Sequence, residues 1–412
     1  MNRRFFIQSL LGGSIIFPHI LSALSNENNN KAKSIIFIYL SGGMSHVDSF
    51  DPKVLSGEYK GKQLVKSPWE FKKNGQTGAE ISDLFPNIAQ KADDLCLIRS
   101  LTTGHGNHFE ATLGLHTGSF SFPKPSIGSW ISYALGSINE NLPSFITIAP
   151  QLPYAGSQLW SPDFLPGQHI GTRITDIKSP VPNIIPGKGQ NTVLDLLRQL
   201  NGTTFPEQLK SFETAAKMQM AAPEAFDISK ESQKTKESYG ISDKMNFGWQ
   251  ALMARRLVER GVRFLELIDT GSSNNWDSHD NIERHGKLAE NVDRPCAYLL
   301  EDLKSRGLLE STLVVFATEF GRTPWTNKLG GLGREHHPEA FTCWLAGGGV
   351  KPGVYGKTDE IGEKPIENKC DMHDFHATIL HGLGINHTEL TYRNNGRDFR
   401  LTDVAGNILP LF

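Results

Sequence analysis

Acidic and imidazole side chains occur in three separated segments whose spacing suits metal binding. One segment reads WDSH and places Asp277 and His279 two residues apart, so both side chains leave the same side of an extended backbone. A second ends in TEFG and carries Glu319, and a third reads GREHHP and carries His336. Carboxylates combined with imidazoles favour zinc or manganese, and calcium, which prefers oxygen ligands, is the alternative. We therefore expect a divalent metal site at these four residues.

Two of these segments also have ordinary structural interpretations. Asp277 is suited to cap a helix that follows WDSH. Arg322, three residues after Glu319, presents a planar fork of donors that fits a tetrahedral oxyanion, and a salt bridge to a nearby carboxylate explains it equally well. Both alternatives stay open from the sequence.

A glycine-rich turn follows the first apolar run and carries further chemistry. His46 and Asp48 repeat the two-residue spacing of WDSH, and the preceding Gly42 and Gly43 offer backbone amides that can bind an anion. We expect Asp48 to be a further metal ligand and His46 an acid or base. The alternative is a capped turn leading into Pro52.

A histidine at a predicted helix start is another candidate. In the segment TTGHGNHFEATLGLHTG, His108 and Glu110 fall where free N–H groups and the helix dipole favour an anionic ligand. We expect His108 to take part in the chemistry and His116 to be structural.

The pattern of apolar runs predicts the elements that position these residues. Helical spacing lies between the runs, and the alternation predicts one three-layer α/β/α sandwich with a mostly parallel central sheet. Because loops after the carboxyl ends of parallel strands meet in one crevice, the candidate residues should converge. The predicted strands are residues 34–40, 96–101, 144–149, 263–269, 312–318 and 341–346, and the predicted helices are 84–95, 109–115, 284–306 and a mostly helical insertion at about 191–261.

Composition and the N-terminus limit the partners and the location. The chain has 412 residues and a formal net charge of -2, so we expect no nucleic-acid partner. Residues 1–25 have the pattern of a twin-arginine export signal, with Arg3 and Arg4 before an apolar run, and a Sec-type signal or an N-terminal anchor is the alternative. We expect a linker at 26–33, a single domain at 34–412 and no stable membrane span in the mature protein.

The four cysteines show no CxxC spacing. Cys96 and Cys343 lie in apolar runs, which favours buried reduced thiols. One disulfide remains an alternative outside the cytoplasm.

Four motifs, GGMSHVDSFDPK, WDSH, TEFGRTP and GREHHP, resemble those of an exported family named for domain of unknown function 1501, within the alkaline phosphatase and sulfatase superfamily. The resemblance implies an alkaline-phosphatase-like fold. It also implies that Asp277 and His279 form the Asp-with-His ligand segment and that His336 is the final ligand. Glu319 and Phe320 stand where an Asp and a His ligand would be expected.

The chain departs from the superfamily pattern at the reacting group. When the TG of the sulfatase signature is aligned with Thr117 and Gly118, His108 stands at the nucleophile and Thr112 at the arginine. Ser, Thr and Cys are thus absent from that position, and formylglycine sulfatase chemistry is not expected. Phe320 replaces a ligand, which leaves His285 as an outside candidate.

These observations predict an exported or periplasmic metal-dependent hydrolase of a phosphate or sulfate ester. Metal hydroxide would attack directly, and a phosphohistidine at His108 is the alternative. His108, His46 or Glu319 would act as base or acid, and Arg322 would hold the anion. The expected partners are a small anionic ester or a sulfated or phosphorylated glycan, together with the twin-arginine export machinery. The alternative is a non-catalytic, metal-stabilised protein that binds anionic glycans at the cell surface.

Overall fold

A computed structural model describes residues 32–176, 189–201, 209, 212–213, 216–217, 223–241 and 246–412. Its centre is one sheet of eight strands. These strands are β1 Ser34–Tyr39, β2 Leu95–Leu101, β3 Phe145–Ile148, β4 Thr172–Ile174, β5 Phe264–Ile268, β6 Thr312–Ala317, β7 Phe341–Gly347 and β8 Gly353–Tyr355.

The sheet is mostly parallel, as predicted. Its strand order is β8-β2-β7-β6-β1-β5-β3-β4. β7 runs antiparallel to β6 and β2, and the other neighbouring pairs are parallel. β1 lies between β6 and β5, with Ile36 opposite both Val314 and Leu265. Because β1 is buried along its whole length, it reads as a continuous apolar run.

Helices cover both faces of the sheet. They are α1 Pro86–Ala89, α2 His108–Thr117, α3 Ile127–Leu135, α4 Gln190–Asn201, α5 Gln233–Ser238, α6 Phe247–Glu259, α7 Arg284–Ser305 and α8 Met372–Gly382. Short 3-10 turns occur at His46–Asp48, Ala92–Asp94, Gly156–Trp160, Gly167–His169 and Leu309–Ser311. Short peripheral strands are Glu58–Tyr59, Lys62–Leu64, Phe71–Asn74, Ala79–Ser82, Gly321–Arg322, Trp325–Thr326, His336–His337, Lys357–Thr358, Pro365–Glu367, Tyr392–Asn394 and Arg397–Phe399.

Alternate side chains of β1 belong to two different cores, which makes the three layers explicit. Ile36 and Ile38 pack with apolar residues of α6 and α7, whereas Ile35 and Phe37 pack with those of α2, α3 and α8. This is the period of two expected for a strand buried on both faces. The predicted three-layer sandwich is confirmed.

Some predicted elements change length or fall outside the described part. The helix predicted at 84–95 is the four-residue α1 followed by a 3-10 turn, since the apolar run at Leu95 already belongs to β2. In the insertion predicted at about 191–261, α6 is a buried helix of the core, α4 and α5 are further helices, and parts of the range between 202 and 245 lie outside the described residues. The predicted signal at 1–25 and most of the linker also lie outside them.

Two further expectations can be compared with the structure. All four cysteines are free and buried, as predicted for reduced thiols. None of the described helices combines the length and the apolar character needed to cross a membrane.

Candidate metal centre

The carboxyl ends of the parallel strands bring the candidate residues to one edge of the sheet. Glu319 follows β6 directly, and His108 begins α2 a few residues after β2. Asp277 and His279 lie in the loop between β5 and α7. His336 reaches the same edge because β7 is antiparallel, so the segment before β7 lies where the parallel strands end.

Three imidazoles surround the Asp277 carboxylate. Oδ1 of Asp277 lies 2.9 Å from Nε2 of His279 and 3.4 Å from Nε2 of His336, and Oδ2 lies 3.3 Å from Nε2 of His108. The Nε2 atoms of His279 and His336 are 3.0 Å apart. The atoms of His108, Asp277 and His336 that could bind a metal ion all lie within 4.8 Å of one another. We call these four residues the His-Asp cluster.

The Nδ1 atom of each imidazole in the His-Asp cluster, on the side of the ring away from Asp277, lies within hydrogen-bond distance of an oxygen atom. Nδ1 of His108 lies 2.7 Å from Glu319 Oε1, and Nδ1 of His279 lies 2.6 Å from Glu335 Oε2. Nδ1 of His336 lies 2.8 Å from the carbonyl oxygen of Gly106, which can only accept. The carbonyl of Gly106 fixes the neutral tautomer of His336, which carries its proton on Nδ1 and directs the Nε2 lone pair at Asp277. His108 and His279 each lie between two carboxylates, with Nε2 toward Asp277.

Carboxylates outnumber the fixed positive charges around the His-Asp cluster. With neutral imidazoles, the Nε2 lone pair of His336 faces a carboxylate that supplies no proton. The carboxylates of Asp277, Glu319 and Glu335 and the single guanidinium of Arg322 give a net charge of −2. One divalent ion would neutralise that charge. Outward hydrogen bonds from Nδ1 to carboxylates or carbonyls are also the usual support of histidines that bind metal.

The spacing of the cluster fits a small ion. Four ligands at the 2.0–2.1 Å typical of zinc with nitrogen stand at the corners of a tetrahedron whose edge is about 3.3 Å. Four of the distances within the His-Asp cluster, which involve both oxygens of Asp277, run from 2.9 to 3.4 Å. The ligand atoms of His108, Asp277 and His336 lie within 4.8 Å of one another, so these three residues could hold a metal ion. Their combination of imidazole and carboxylate suits zinc or manganese.

The electrostatics of the cluster favour positive charge. Burial lowers the pKa of His108, but hydrogen bonds and charge from Asp277 and Glu319 raise it more, so its pKa lies above the ordinary value. Burial raises the pKa of Asp277, but His108, His336 and Arg322 together hold it well below its usual range. Both carboxylates next to His108 therefore stay ionised.

Arg322 contacts the loops around Asp277 from a buried position. Its side chain is fully buried, and Nε donates to the carbonyl of Gly43 at 2.8 Å while Nη1 donates to that of Arg334 at 3.3 Å. Nη2 donates to Asp277 Oδ1 at 2.6 Å and to the carbonyl of Gly42. Each of its three nitrogens has a protein acceptor, and the ion pair with Asp277 agrees with the salt bridge that the sequence left open as the alternative. Its binding of a substrate anion stays a prediction.

Asp48, a predicted metal ligand, lies in a separate buried ion pair. Arg334 Nε donates to its Oδ2 at 2.7 Å and Nη2 to its Oδ1 at 3.1 Å, and both side chains are fully buried. Burial raises the pKa of Asp48, but Arg334 lowers it more, so the carboxylate remains charged. The structure does not bring Asp48 to the His-Asp cluster.

The other two histidine candidates are neutral and buried elsewhere. Nε2 of His46 lies 2.9 Å from the carbonyl of Gly362, and burial lowers its pKa to about 4. His285 lies between the backbone N–H of Ser45 and the hydroxyl of Ser278, and burial lowers its pKa to about 3. The structure therefore places the predicted acid or base His46 away from the cluster.

Two glycines let the loops approach closely. Gly42 has a φ of 115°, and a Cβ there would lie 2.7 Å from the backbone nitrogens of Trp276 and Asp277. Its own N–H donates to Glu319 Oε1 at 2.9 Å. At Gly333 a Cβ would lie 1.8 Å from the carbonyl oxygen of His279. The GG and GREHHP motifs thus fix how close these loops come to the ligands.

Sequence reasoning missed the aromatic walls of the cluster and one of its supporting carboxylates. Tyr154 stacks on His108 with ring centroids 4.4 Å apart, and Phe320 packs on the same ring at 4.7 Å. Burial raises the pKa of Tyr154, so its phenol stays protonated. Glu335 stood within the GREHHP motif and could have been found there, but nothing in the spacing around Tyr154 indicates its place.

Solved structures with a similar fold include three enzymes of low sequence identity. A lipoteichoic acid synthase from Listeria monocytogenes is 10% identical over 92% of this chain and 78% of its own, with a TM-score of 0.42. A sulfatase from Pseudoalteromonas sp. is 13% identical over 89% and 71%, with a TM-score of 0.38. An alkaline phosphatase from the Antarctic bacterium TAB5 is 11% identical over 86% and 98%, also with a TM-score of 0.38.

The sequence itself matches one family over nearly its whole length. No curated protein matches it. Residues 32–412, which include every residue of the His-Asp cluster, match the family described as "Protein of unknown function (DUF1501)". The chain therefore belongs to this family, as its motifs indicated.

Proposed function

We propose that the protein is an exported metal-dependent hydrolase of a phosphate or sulfate ester, with His108, Asp277, His279 and His336 holding one divalent ion. The observation that carries the proposal is the direction of the three imidazoles, whose Nε2 atoms all face Asp277 while each Nδ1 is bound from behind. Zinc or manganese is the expected ion.

The protein side chains around the ion would orient it and leave it accessible. Glu319 and Glu335 hold the rings of His108 and His279, and Arg322 holds Asp277. The side chain of His279 is 39% exposed and that of His336 27%, so a small ligand can reach this side of the cluster. When bound, a divalent ion lowers the pKa of water and polarises an ester oxygen.

The ester class comes from the motif resemblance and from the residue at the nucleophile position. That position is His108, whose ring is held between Asp277 and Glu319 and stacked on Tyr154. A ring so engaged is suited to hold an ion rather than to attack the ester. Water is therefore the proposed nucleophile.

The test is a hydrolysis screen on metal-loaded protein. Aryl phosphates, phosphodiesters and aryl sulfates are assayed with zinc or manganese and again after EDTA treatment. We expect turnover of at least one class, its loss with EDTA and its recovery when metal is restored. The matched pair of variants is Asp277→Ala, which should be inactive, and Asp280→Asn, which changes an exposed carboxylate of the same loop and should keep activity.

Two results of this screen contradict hydrolysis. Turnover that is unchanged in Asp277→Ala would come from a contaminant or another site. Metal-loaded protein that binds phosphate or sulfate without turning over any ester would instead favour the alternative function, binding of anionic glycans.

Export is a separate part of the proposal and rests on the N-terminal pattern alone. The change Arg3→Lys with Arg4→Lys should keep a reporter fused after residue 33 in the cytoplasm, because twin-arginine export depends on the arginine pair. Export that is unaffected by this double change would point to a Sec-type signal instead.

A further inference from the structure

Tyr154 lies against the His-Asp cluster with its hydroxyl group already partnered on one side. Its ring is almost parallel to that of His108, at 5° and 4.4 Å between centroids. Its oxygen lies 3.2 Å from Nδ2 of Asn275. Tyr154 is half-buried, so its position is not explained by the apolar core alone.

The orientation of the Asn275 amide is fixed by two hydrogen-bond partners, of which one can only donate and the other can only accept. The backbone N–H of Asp277 can only donate, and it faces Oδ1 of Asn275 at 3.2 Å. The carbonyl of Gly271 can only accept, and it faces Nδ2 at 3.1 Å. Nδ2 is therefore the NH₂ end, with one proton for Gly271 and the other for the oxygen of Tyr154.

It follows that the hydroxyl group of Tyr154 can still donate its own proton in a hydrogen bond. Its oxygen accepts from Asn275, and in the part of the chain that the structure describes, Tyr154 has Asn275 as its hydrogen-bonding partner. A phenol that accepts one hydrogen bond still donates one. The ring of Tyr154 lies on His108, and the charges of Asp277, Glu319 and Arg322 act on the pKa of its hydroxyl, so this donor lies beside the site.

We infer that Tyr154 donates its hydroxyl hydrogen bond to an anionic oxygen of the ligand held at the His-Asp cluster. This inference rests on the proposed function. It gives the oxyanion a donor besides Arg322, whose three nitrogens already contact Asp277 and backbone carbonyls. Tyr154 thereby becomes a substrate-binding residue supplied by the segment after β3.

The chain offers a clean substitution for this test. Tyr154→Phe removes only the hydroxyl and keeps the ring stacked on His108, so the support of the cluster is preserved. Tyr298→Phe is the matched control, since Tyr298 lies on α7 and packs against Tyr239, away from the cluster. Metal content and thermal midpoint should be unchanged in both variants.

The readout is the binding of inorganic phosphate and inorganic sulfate to metal-loaded protein, measured by titration calorimetry. We expect Tyr154→Phe to weaken binding of at least one anion about tenfold or more, as for the loss of a hydrogen bond to a charged group. For turnover, the KM of an ester substrate should rise more than kcat falls. Tyr298→Phe should match the unchanged protein.

A second variant separates hydrogen-bond donation from structure. In Asn275→Asp the side chain can no longer donate, so the phenol proton turns to the new carboxylate and anion binding should weaken. In the Tyr154→Phe background, Asn275→Asp should cost much less anion affinity, because the two changes remove the same donor.

The outcomes distinguish this inference from the proposed function. Equal anion affinity in Tyr154→Phe and the unchanged protein overturns the role of Tyr154 and leaves the hydrolase intact. Fully additive losses in the double variant also overturn it. Unchanged protein that holds metal but binds neither anion overturns both, whereas anion binding without turnover overturns hydrolysis alone.

Discussion

Two groups of buried or half-buried charges lie near the same edge of the sheet, and they differ in how their charge is balanced. In the Asp48–Arg334 pair, carboxylate and guanidinium meet at 2.7 Å, both fully buried, and the remaining N–H groups of Arg334 donate to the carbonyls of Thr323 and Val65. In the His-Asp cluster, the Nε2 atoms of three imidazoles face one carboxylate, and the surrounding carboxylates outnumber the guanidinium of Arg322. The first group is balanced by protein charges alone, and the proposed divalent ion would balance the second.

The difference shows what separates a structural from a functional charge cluster in this fold. Both groups contain residues from the motifs that the sequence singled out. Charge balance distinguishes them, since each nitrogen of Arg334 meets an acceptor and its charge meets that of Asp48, whereas the cluster gathers several carboxylates around one guanidinium. Exposure agrees with this, because Asp48 is fully buried and the side chain of Asp277 is 25% exposed.

The largest expected effect is the loss of metal from the cluster. In Asp277→Ala the central carboxylate is gone, and we expect bound metal, measured by elemental analysis after dialysis, to fall from about one ion per chain to background. Asp280→Asn should keep the ion. Saturating metal should raise the unfolding free energy of the unchanged protein by about 4 kcal/mol at a thousandfold excess over Kd, and Asp277→Ala should lose this gain. Equal metal content in both variants would contradict the assignment.

Changes to the Asp48–Arg334 pair should lower the stability of the fold without removing the stabilisation by metal. Arg334→Met leaves a buried carboxylate without its partner and should lower the unfolding free energy by about 3–5 kcal/mol. The double change Asp48→Leu with Arg334→Met should recover much of that loss. Chemical denaturation with and without metal measures both, and the gain on adding metal should survive in the double variant. If the double variant is as unstable as Arg334→Met alone, the pair stabilises the fold by more than the mutual neutralisation of its two charges.

The carboxylates behind the histidines should have a smaller effect on metal binding. Glu335→Ala removes the acceptor from Nδ1 of His279 and should weaken metal affinity about 10- to 100-fold, as for other groups that orient metal-binding histidines. A competition titration with a chelator of known affinity measures the change. Glu367→Ala, which removes an exposed carboxylate, is the control and should leave the affinity as it was.

The smallest effect concerns a buried histidine outside both groups. Burial lowers the pKa of His376 to about 3, and one of its nitrogens donates to the carbonyl of Leu115. Because its folded pKa lies below the unfolded value near 6.5, its stabilising contribution is complete above pH 6.5 and is lost as the pH falls from 6.5 toward 3. The neutral ring contrasts with His108, whose pKa is raised by the carboxylates around it.

Replacing that histidine should flatten the acid side of the stability curve. In His376→Gln the unfolding free energy should fall less steeply between pH 6 and 4, by about 1.4 kcal/mol per pH unit. Denaturation midpoints at several pH values measure the slope, and the difference at pH 8 isolates the fixed packing cost of the substitution. An unchanged slope would mean that His376 takes up no additional proton on unfolding.

The strands and the grouping of the ligands were predictable because local pattern determines both. The apolar runs gave β1, β5 and β6 within about a residue, and the rule that parallel strands end together brought Asp277, Glu319 and His108 to one edge. The contacts of Arg322 with backbone carbonyls could not be predicted, because such partners leave no mark in the sequence, whereas its ion pair with Asp277 is the salt bridge that the sequence left open.

Tyr154 could not be predicted for a related reason. It lies in the irregular segment after β3, and its place beside His108 depends on the packing of two distant loops. Asp48 shows the opposite failure, in which a predicted ligand is not one of the clustered residues. Its spacing from His46 repeats that of WDSH, but its carboxylate forms an ion pair with Arg334. Spacing predicts which groups share an edge, and long-range contacts decide which of them face one another.

X-ray absorption spectroscopy of the metal-loaded protein tests the central claim most directly. We expect one zinc or manganese ion per chain with scattering from three imidazole rings and, for zinc, nitrogen and oxygen ligands at about 2.0–2.1 Å. The imidazole scattering should drop when His336→Ala is measured in the same way. Protein that takes up no divalent ion, or an ion bound by oxygen atoms alone, would contradict the account.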